Sequence, residues 1–228
     1  VQTLLLDNSL DHRLLDEGTL TKRFLAEPPR ICRAPSEPLP PLDSFTHLIL
    51  TGSEASIVDH DDWILRQMDF VRAAVDAGKP VLGICFGHQL LARALFGDNC
   101  VRHAAAPEFG WHPVRLTTTD PLFAGLPPTI DAYCSHFDEV CRLPPQAEVL
   151  ATGDICAVQA MRLRDKPVWG LQFHPEIGAY AGLLLFAVVA KIKKTAEINL
   201  LDAWRNAQRP VFARQIFANF REAPCRSK

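Results

Sequence analysis

Hydrophobic positions follow two rhythms in the first hundred residues of the chain. Thr3–Asp7, His47–Leu50 and Pro80–Cys85 are short and almost uniformly apolar, the pattern of strands buried on both faces. Between them run stretches with helical spacing. Leu14 to Ala26 carries Leu14, Leu15, Leu20, Phe24 and Leu25, and Trp63, Ile64, Met68, Val71 and Val75 mark one face of a second helix. Asp59 or Asp61 caps that second helix and Gly78 ends it. A third runs from Phe86 to about Phe96 and stops at Gly97. The segment holding Pro28, Pro29, Pro35, Pro38, Pro40 and Pro41 suits at most one edge strand, because proline cannot donate to a sheet ladder. Strands alternating with helices in this order predict a parallel sheet with helices on both faces.

After Pro107 the rhythm changes. His112–Thr117, Ile130–Cys134, Glu148–Thr152, Ala157–Met161 and Val168–Phe173 are strand candidates with short connections, which suits antiparallel additions. Tyr180 to Phe220 is helical again, with a break near Pro210. The expectation is one α/β domain, a mostly parallel central sheet flanked by helices with antiparallel strand additions, over residues 1–190. Residues 191–228 form a helical C-terminal extension packed on the same domain through Trp204, Val211, Phe212, Ile216, Phe217 and Phe220.

Composition narrows the function classes. The 228 residues are 48% apolar and 22% charged, enough for a full core without covalent staples. A formal charge of −2 gives no global field to recruit nucleic acid or an anionic membrane. The longest apolar stretch, Ala179 to Ala190, is about half of the ~20 residues a membrane span needs. Seven scattered cysteines, an odd number, do not make a secreted disulfide framework, and no charged-then-apolar leader opens the sequence. A soluble cytoplasmic protein is expected.

The chemistry concentrates in two places. Gly83-Ile84-Cys85-Phe86-Gly87-His88-Gln89 has the form G-x-C-x-G at a strand-to-helix junction. A nucleophile on such a turn projects above the sheet edge, with glycines on either side leaving room for the tight backbone. The helix N-terminus stabilises negative charge on the sulfur, and the Phe86 N–H points where an oxyanion would form. Gln89, one helical turn on, leans back towards Cys85 and could hold a polar group of a substrate. A structural cysteine in an ordinary connection is the bland alternative, which the strand context and the Gly-His-Gln continuation disfavour.

The second place is Phe173-His174-Pro175-Glu176, at the end of a strand-like run. His174 and Glu176, two apart in extended backbone, share one face, so the carboxylate could orient the imidazole as a general base. Taken alone, His-Pro-Glu reads more readily as a loop with a helix cap. His88 reads as turn support, and His60 within Asp59-His60-Asp61-Asp62 as part of an acidic helix start rather than a metal ligand. Walker, G-x-G-x-x-G and paired C-x-x-C motifs do not occur, so neither a metal nor another cofactor is expected.

Together the cysteine turn and the His-Pro-Glu stretch resemble the class I, triad-type glutamine amidotransferase family. Thr51-Gly52-Ser53 occupies the place of the family's oxyanion loop, and Tyr133-Cys134-Ser135-His136-Phe137-Asp138-Glu139-Val140 resembles the segment lining its glutamine site. Glu108-Phe109-Gly110-Trp111 and Ala213–Arg221 resemble the stand-alone, GMP-synthase-like branch. The resemblance implies the flavodoxin-like class I amidotransferase fold and a glutaminase half-reaction. In it Cys85 is the nucleophile, His174 the acid and base, and Glu176 the orienting carboxylate. Gly52 or Ser53, with Phe86, supplies oxyanion N–H groups, while Gln89, Ser135, His136 and Phe137 hold the substrate. Many members carry Gly-Gly-Pro where this chain has Thr51-Gly52-Ser53-Glu54. Three functions remain open at this stage. One is a glutamine amidotransferase serving a separate synthase subunit that accepts its ammonia. The others are a γ-glutamyl hydrolase or peptidase using the same triad, and a non-catalytic scaffold.

Overall fold

A computed structural model describes residues 1–11, 16–185 and 212–225. Nine strands form one mixed sheet in the order β2-β1-β3-β4-β9-β8-β7-β5-β6. The parallel half comprises β1 (Thr3–Asp7), β2 (Arg30–Arg33), β3 (His47–Leu50), β4 (Val81–Ile84) and β9 (Val168–Leu171). The antiparallel half adds β5 (Val101–Leu116), β6 (Thr129–Val140), β7 (Ala147–Thr152) and β8 (Ala160–Leu163). The proline-rich segment contributes the edge strand β2 and no other strand.

The four described α-helices are α1 (Glu17–Lys22), α2 (Asp62–Asp76), α3 (Phe86–Phe96) and α4 (Ala213–Arg221). Residues 179–185 are also helical. Two apolar clusters lie on opposite faces of the sheet, because every side chain of β3 and β4 is buried and alternate residues point to alternate faces. Ile64, Met68 and Val71 of α2 and Leu90 and Leu91 of α3 pack on Leu48, Leu50 and Val81 on one side. Ile216, Phe217 and Phe220 of α4 pack on Leu5, Ile49, Leu82 and Trp169 on the other. Among the described residues no helix is long and apolar enough to cross a membrane.

Four strands and helices depart from the sequence pattern, among them the strand expected at Ile130–Cys134, which continues to Val140 as β6. The helix expected over Leu14 to Ala26 is described only over Glu17–Lys22, since the chain then turns so that Phe24 stacks on Phe217 at 5.9 Å; residues 12–15 lie outside the described set. The strand expected at His112–Thr117 is the end of a 16-residue strand, β5, whose pairing with β6 slips between His103 and Glu108. Prolines and the slip hide it from any period-two pattern. The strand expected at Ala157–Met161 runs over Ala160–Leu163 instead, pairing regularly with β7 from Met161 to Leu163 and slipping in register between Met161 and Ala160. Of the expected C-terminal helix, residues 186–211, including Trp204 and Val211, lie outside the described residues.

Phe217 is 1% exposed and stands at the centre of the α4 contact. Phe217→Ala is expected to cost about 3–5 kcal/mol, the range for deleting a buried aromatic ring. Denaturant unfolding checks this; a cost below about 1 kcal/mol would show that α4 is peripheral to the core.

Candidate active site

Parallel sheets offer the crevice beyond the carboxyl ends of their strands as a binding place, and four chain segments meet there. They are the loop after β1 with the start of α1, the loop after β3, the β4–α3 turn, and the segment after β9.

Cys85 forms the β4–α3 turn, with φ 49° and ψ −105°. A non-glycine residue holds such a conformation only under tight constraint, and here its N–H donates to Leu171 O at 2.7 Å while its carbonyl accepts from Gln89 N at 3.1 Å. The flanking glycines are required by close approach. A Cβ on Gly83 would sit 2.3 Å from Gly87 O, and one on Gly87 would sit 2.4 Å from Leu50 O. Both obstacles are backbone and cannot swing aside. Gly83→Ala should therefore leave little folded, active protein, measured as soluble yield and melting; a normally folded variant would show that the turn has slack.

His174 lies beyond β9, its N–H donating to Tyr133 O at 2.8 Å. Its Nδ1 is 2.7 Å from Glu176 Oε1, so the expected pairing is present, but Pro175 and Glu176 lie in a turn, closed by Ile177 N–H donating to His174 O at 3.4 Å, and not in the extended backbone expected from the sequence. Both residues are almost wholly buried, and the imidazole interacts directly with the Cys85 side chain. Burial works against charge on His174, yet Cys85, Glu176 and Glu17 together hold its pKa well above the usual range. Gln172 donates its Nε2–H to the sulfur at 3.7 Å, and the thiol reaches Ser135 O at 3.7 Å.

The loop after β3 is pinned from several sides. Asn8 donates its N–H to Thr51 Oγ1 and its Nδ2–H to Thr51 O, both at 2.9 Å, and Gly87 N–H also reaches Thr51 O at 3.1 Å. The Gly52 N–H donates to Glu17 Oε2 at 2.9 Å, whereas no partner for the Ser53 N–H is found among the described residues. The Phe86 N–H, first in α3, has no partner within the helix.

Other sequence candidates are placed less uniformly. Gln89 is buried, and its amide donates to Asp138 O at 2.7 Å and Gln172 Oε1 at 3.1 Å, leaving its carbonyl oxygen for a further donor. Within β6, Ser135 and Phe137 alternate with His136. Phe137 is 43% exposed and meets Phe109 edge-on at 4.9 Å. His136 is turned into the protein instead, with Nε2 2.9 Å from Glu108 Oε2 and Nδ1 3.0 Å from Asp138 O. His88 is also internal: burial first, then the nearby His136, lowers its pKa to about 3, so it packs as a neutral ring. Gly170 makes room for it, since a Cβ there would come within 2.3 Å of His88 Nδ1.

Two residues at the site escape sequence reasoning. Gln172 has its role only through the contact of its amide with the Cys85 sulfur, which no spacing announces. Glu17 sits 3.9 Å from His174 Nδ1 with no periodicity to announce it. Two groups among the described residues have the donors for a metal, Glu17–His174–Glu176 and Glu108–His136–Cys156, and in each the histidine already pairs with a carboxylate.

The comparisons with known proteins agree with this geometry. The family described as glutamine amidotransferase class-I matches residues 42–182. The glutamine-hydrolyzing subunit of GMP synthase from Methanothermobacter thermautotrophicus is 38% identical over 148 residues, 65% of this chain and 78% of that protein. The same-named subunit from Sulfolobus acidocaldarius is 37% identical over 143 residues, 63% of this chain and 73% of its own length. In fold, a glutamine amidotransferase from Thermotoga maritima superimposes with a TM-score of 0.82 at 21% identity, covering 98% of this chain and 99% of its own. The family match reaches from the segment before β3 to past His174 and Glu176, and it includes the whole cysteine turn. The chain therefore belongs to the class-I glutamine amidotransferase family.

Proposed function

We propose that Cys85, His174 and Glu176 carry the glutaminase half-reaction of this class-I glutamine amidotransferase, delivering ammonia to an acceptor on a separate synthase subunit. The observation that carries the reading is the continuous contact from the Cys85 thiol through the His174 ring to the Glu176 carboxylate, 2.7 Å from Nδ1, at the carboxyl ends of the parallel strands.

With Nδ1–H held by Glu176, Nε2 of His174 is left to take the thiol proton. The Cys85 sulfur then attacks the side-chain amide carbon of glutamine. The tetrahedral oxyanion is assigned two donors, the N–H groups of Phe86 and Ser53, for which no other partner is found among the described residues. Gly52, whose N–H is already engaged by Glu17, is not assigned that role. Each such donor is worth about 3 kcal/mol of transition-state stabilisation. Collapse of the intermediate breaks the C–N bond, and His174 returns its proton to the leaving nitrogen as ammonia departs. Water, deprotonated by His174, then cleaves the γ-glutamyl thioester to glutamate and restores the thiol. Gln89, through its carbonyl oxygen, together with Ser135 and Phe137 of β6, is assigned to the amino-acid end of the substrate. His136 supports β6 from behind.

The two relatives compared above are themselves named as subunits of GMP synthase. That supports an acceptor on another polypeptide. Seven unpaired cysteines fit a reducing compartment, and the protein is read as cytoplasmic.

Glutamate release from free glutamine and from a γ-glutamyl dipeptide, measured on the purified chain and on its Cys85→Ala variant, tests the reading. Cysteine-dependent hydrolysis of glutamine supports it. A clear preference for the dipeptide would replace it with a γ-glutamyl hydrolase.

A further inference from the structure

One carboxyl group in the site takes no part in the steps above. Glu17 opens α1, and its side chain is 3% exposed. Its Oε2 accepts the Gly52 N–H at 2.9 Å and lies 3.9 Å from His174 Nδ1. The fit is tight, since a Cβ on Gly52 would come within 2.6 Å of both Glu17 oxygens. Glu17 is itself held from behind. Its N–H donates to Ser9 Oγ at 3.3 Å, and that hydroxyl donates to Asp7 Oδ1 at 2.7 Å. Gly18 packs on the same aspartate, where a Cβ would meet Oδ2 at 2.8 Å. Burying a carboxyl group is costly unless a partner compensates, and the partner here is a backbone N–H of the oxyanion loop.

The geometry points to Glu17 as a positioning residue of the glutaminase reaction: by accepting the Gly52 N–H, its carboxyl oxygen fixes the loop so that the next N–H, that of Ser53, faces the oxyanion. This inference rests on the glutaminase reading. Asn8 anchors Thr51 on one side, and Glu17 is the anchor immediately before Ser53. The arrangement does not require charge on Glu17. His174 and Glu176 face it from the segment after β9, Glu54 from the loop after β3, and Asp7 stands behind through Ser9. Burial chiefly raises the Glu17 pKa to about 8; His174 and the Gly52 N–H oppose, while Glu176 and Glu54 add to it. Near pH 7 a neutral carboxyl avoids placing two carboxylates on the same imidazole edge.

The test compares kcat and KM for glutamine, and the iodoacetamide alkylation rate of Cys85, in wild type, Glu17→Ala and Glu17→Gln. Cys85→Ala serves as the baseline. Glu17→Ala should lower kcat about 10–100-fold, a displaced rather than deleted donor, with KM changed less than about threefold. Alkylation of Cys85 should change less than about twofold, because the triad is untouched. Glu17→Gln keeps the acceptor oxygen without the charge and should restore most of kcat. Wild-type kcat in Glu17→Ala, or equal damage in both variants, overturns the inference. Should Glu17→Ala not fold, Glu17→Met fills the same space without an acceptor and carries the same expectation. An inactive wild type would instead overturn the glutaminase reading, and the role of Glu17 with it.

Discussion

Cys85→Ala should bring glutamine hydrolysis down to the uncatalysed background while leaving the fold intact. The sulfur is the atom that bonds to substrate, so its loss removes the covalent route rather than weakening it. In catalytic triads, removal of the nucleophile costs about 10⁶-fold in kcat. The side chain is small, and its protein contacts are the long ones to Ser135 O, Gln172 and His174. Melting should therefore stay within a few degrees of wild type. The backbone supplies a second, independent check. At φ 49° glycine rests without the strain that a Cβ brings, so Cys85→Gly should melt no lower than Cys85→Ala. Residual cysteine-independent glutaminase activity would remove Cys85 from the mechanism.

Glu176→Gln is expected to lower kcat about 10³–10⁴-fold with little change in KM, by analogy with the orienting carboxylate of serine-protease triads. The amide would present an N–H to Nδ1 of His174, where the carboxylate now accepts at 2.7 Å, and so would favour the tautomer with its proton on Nε2. That tautomer cannot take the thiol proton. The loss should fall short of Cys85→Ala, because the nucleophile, the imidazole and the oxyanion donors all remain. Steady-state kinetics on glutamine decide it. Rates within tenfold of wild type would reduce Glu176 to a structural hydrogen-bond acceptor.

Legibility in the sequence followed locality. The parallel strands β1, β3 and β4 read correctly because each is a continuous apolar run buried on both faces. The helices α2 and α3 read correctly because their apolar positions recur at helical spacing and glycines mark their ends. The cysteine turn was readable for a related reason: the close approach of Gly83 to Gly87 lies within five residues, although the room Gly87 needs is set by Leu50 of β3. His174 and Glu176 were readable as a pair from their two-residue spacing, although a turn at Pro175, not extended backbone, brings the two side chains together.

What was not readable depends on contacts between segments distant in the chain. The full length of β5 depends on β6, since its apolar pattern is interrupted by prolines and by a slip in register. His136 has the motif position of a substrate contact, yet Glu108, 28 residues away, draws its ring inward. Gln172 gains meaning only where its amide meets the Cys85 sulfur.

The sequence by itself determined the fold class and pointed to the proposed nucleophile and to the proposed base with its orienter, because each rests on residues close together in the chain. Only the tertiary structure decided which loop N–H is open to an oxyanion. That choice is made by Glu17, 35 residues before Gly52, whose carboxyl reaches the loop only after β1 and β3 have paired. A hydrogen bond across that separation leaves no period or spacing in the chain, since it is created by packing and not by local backbone geometry.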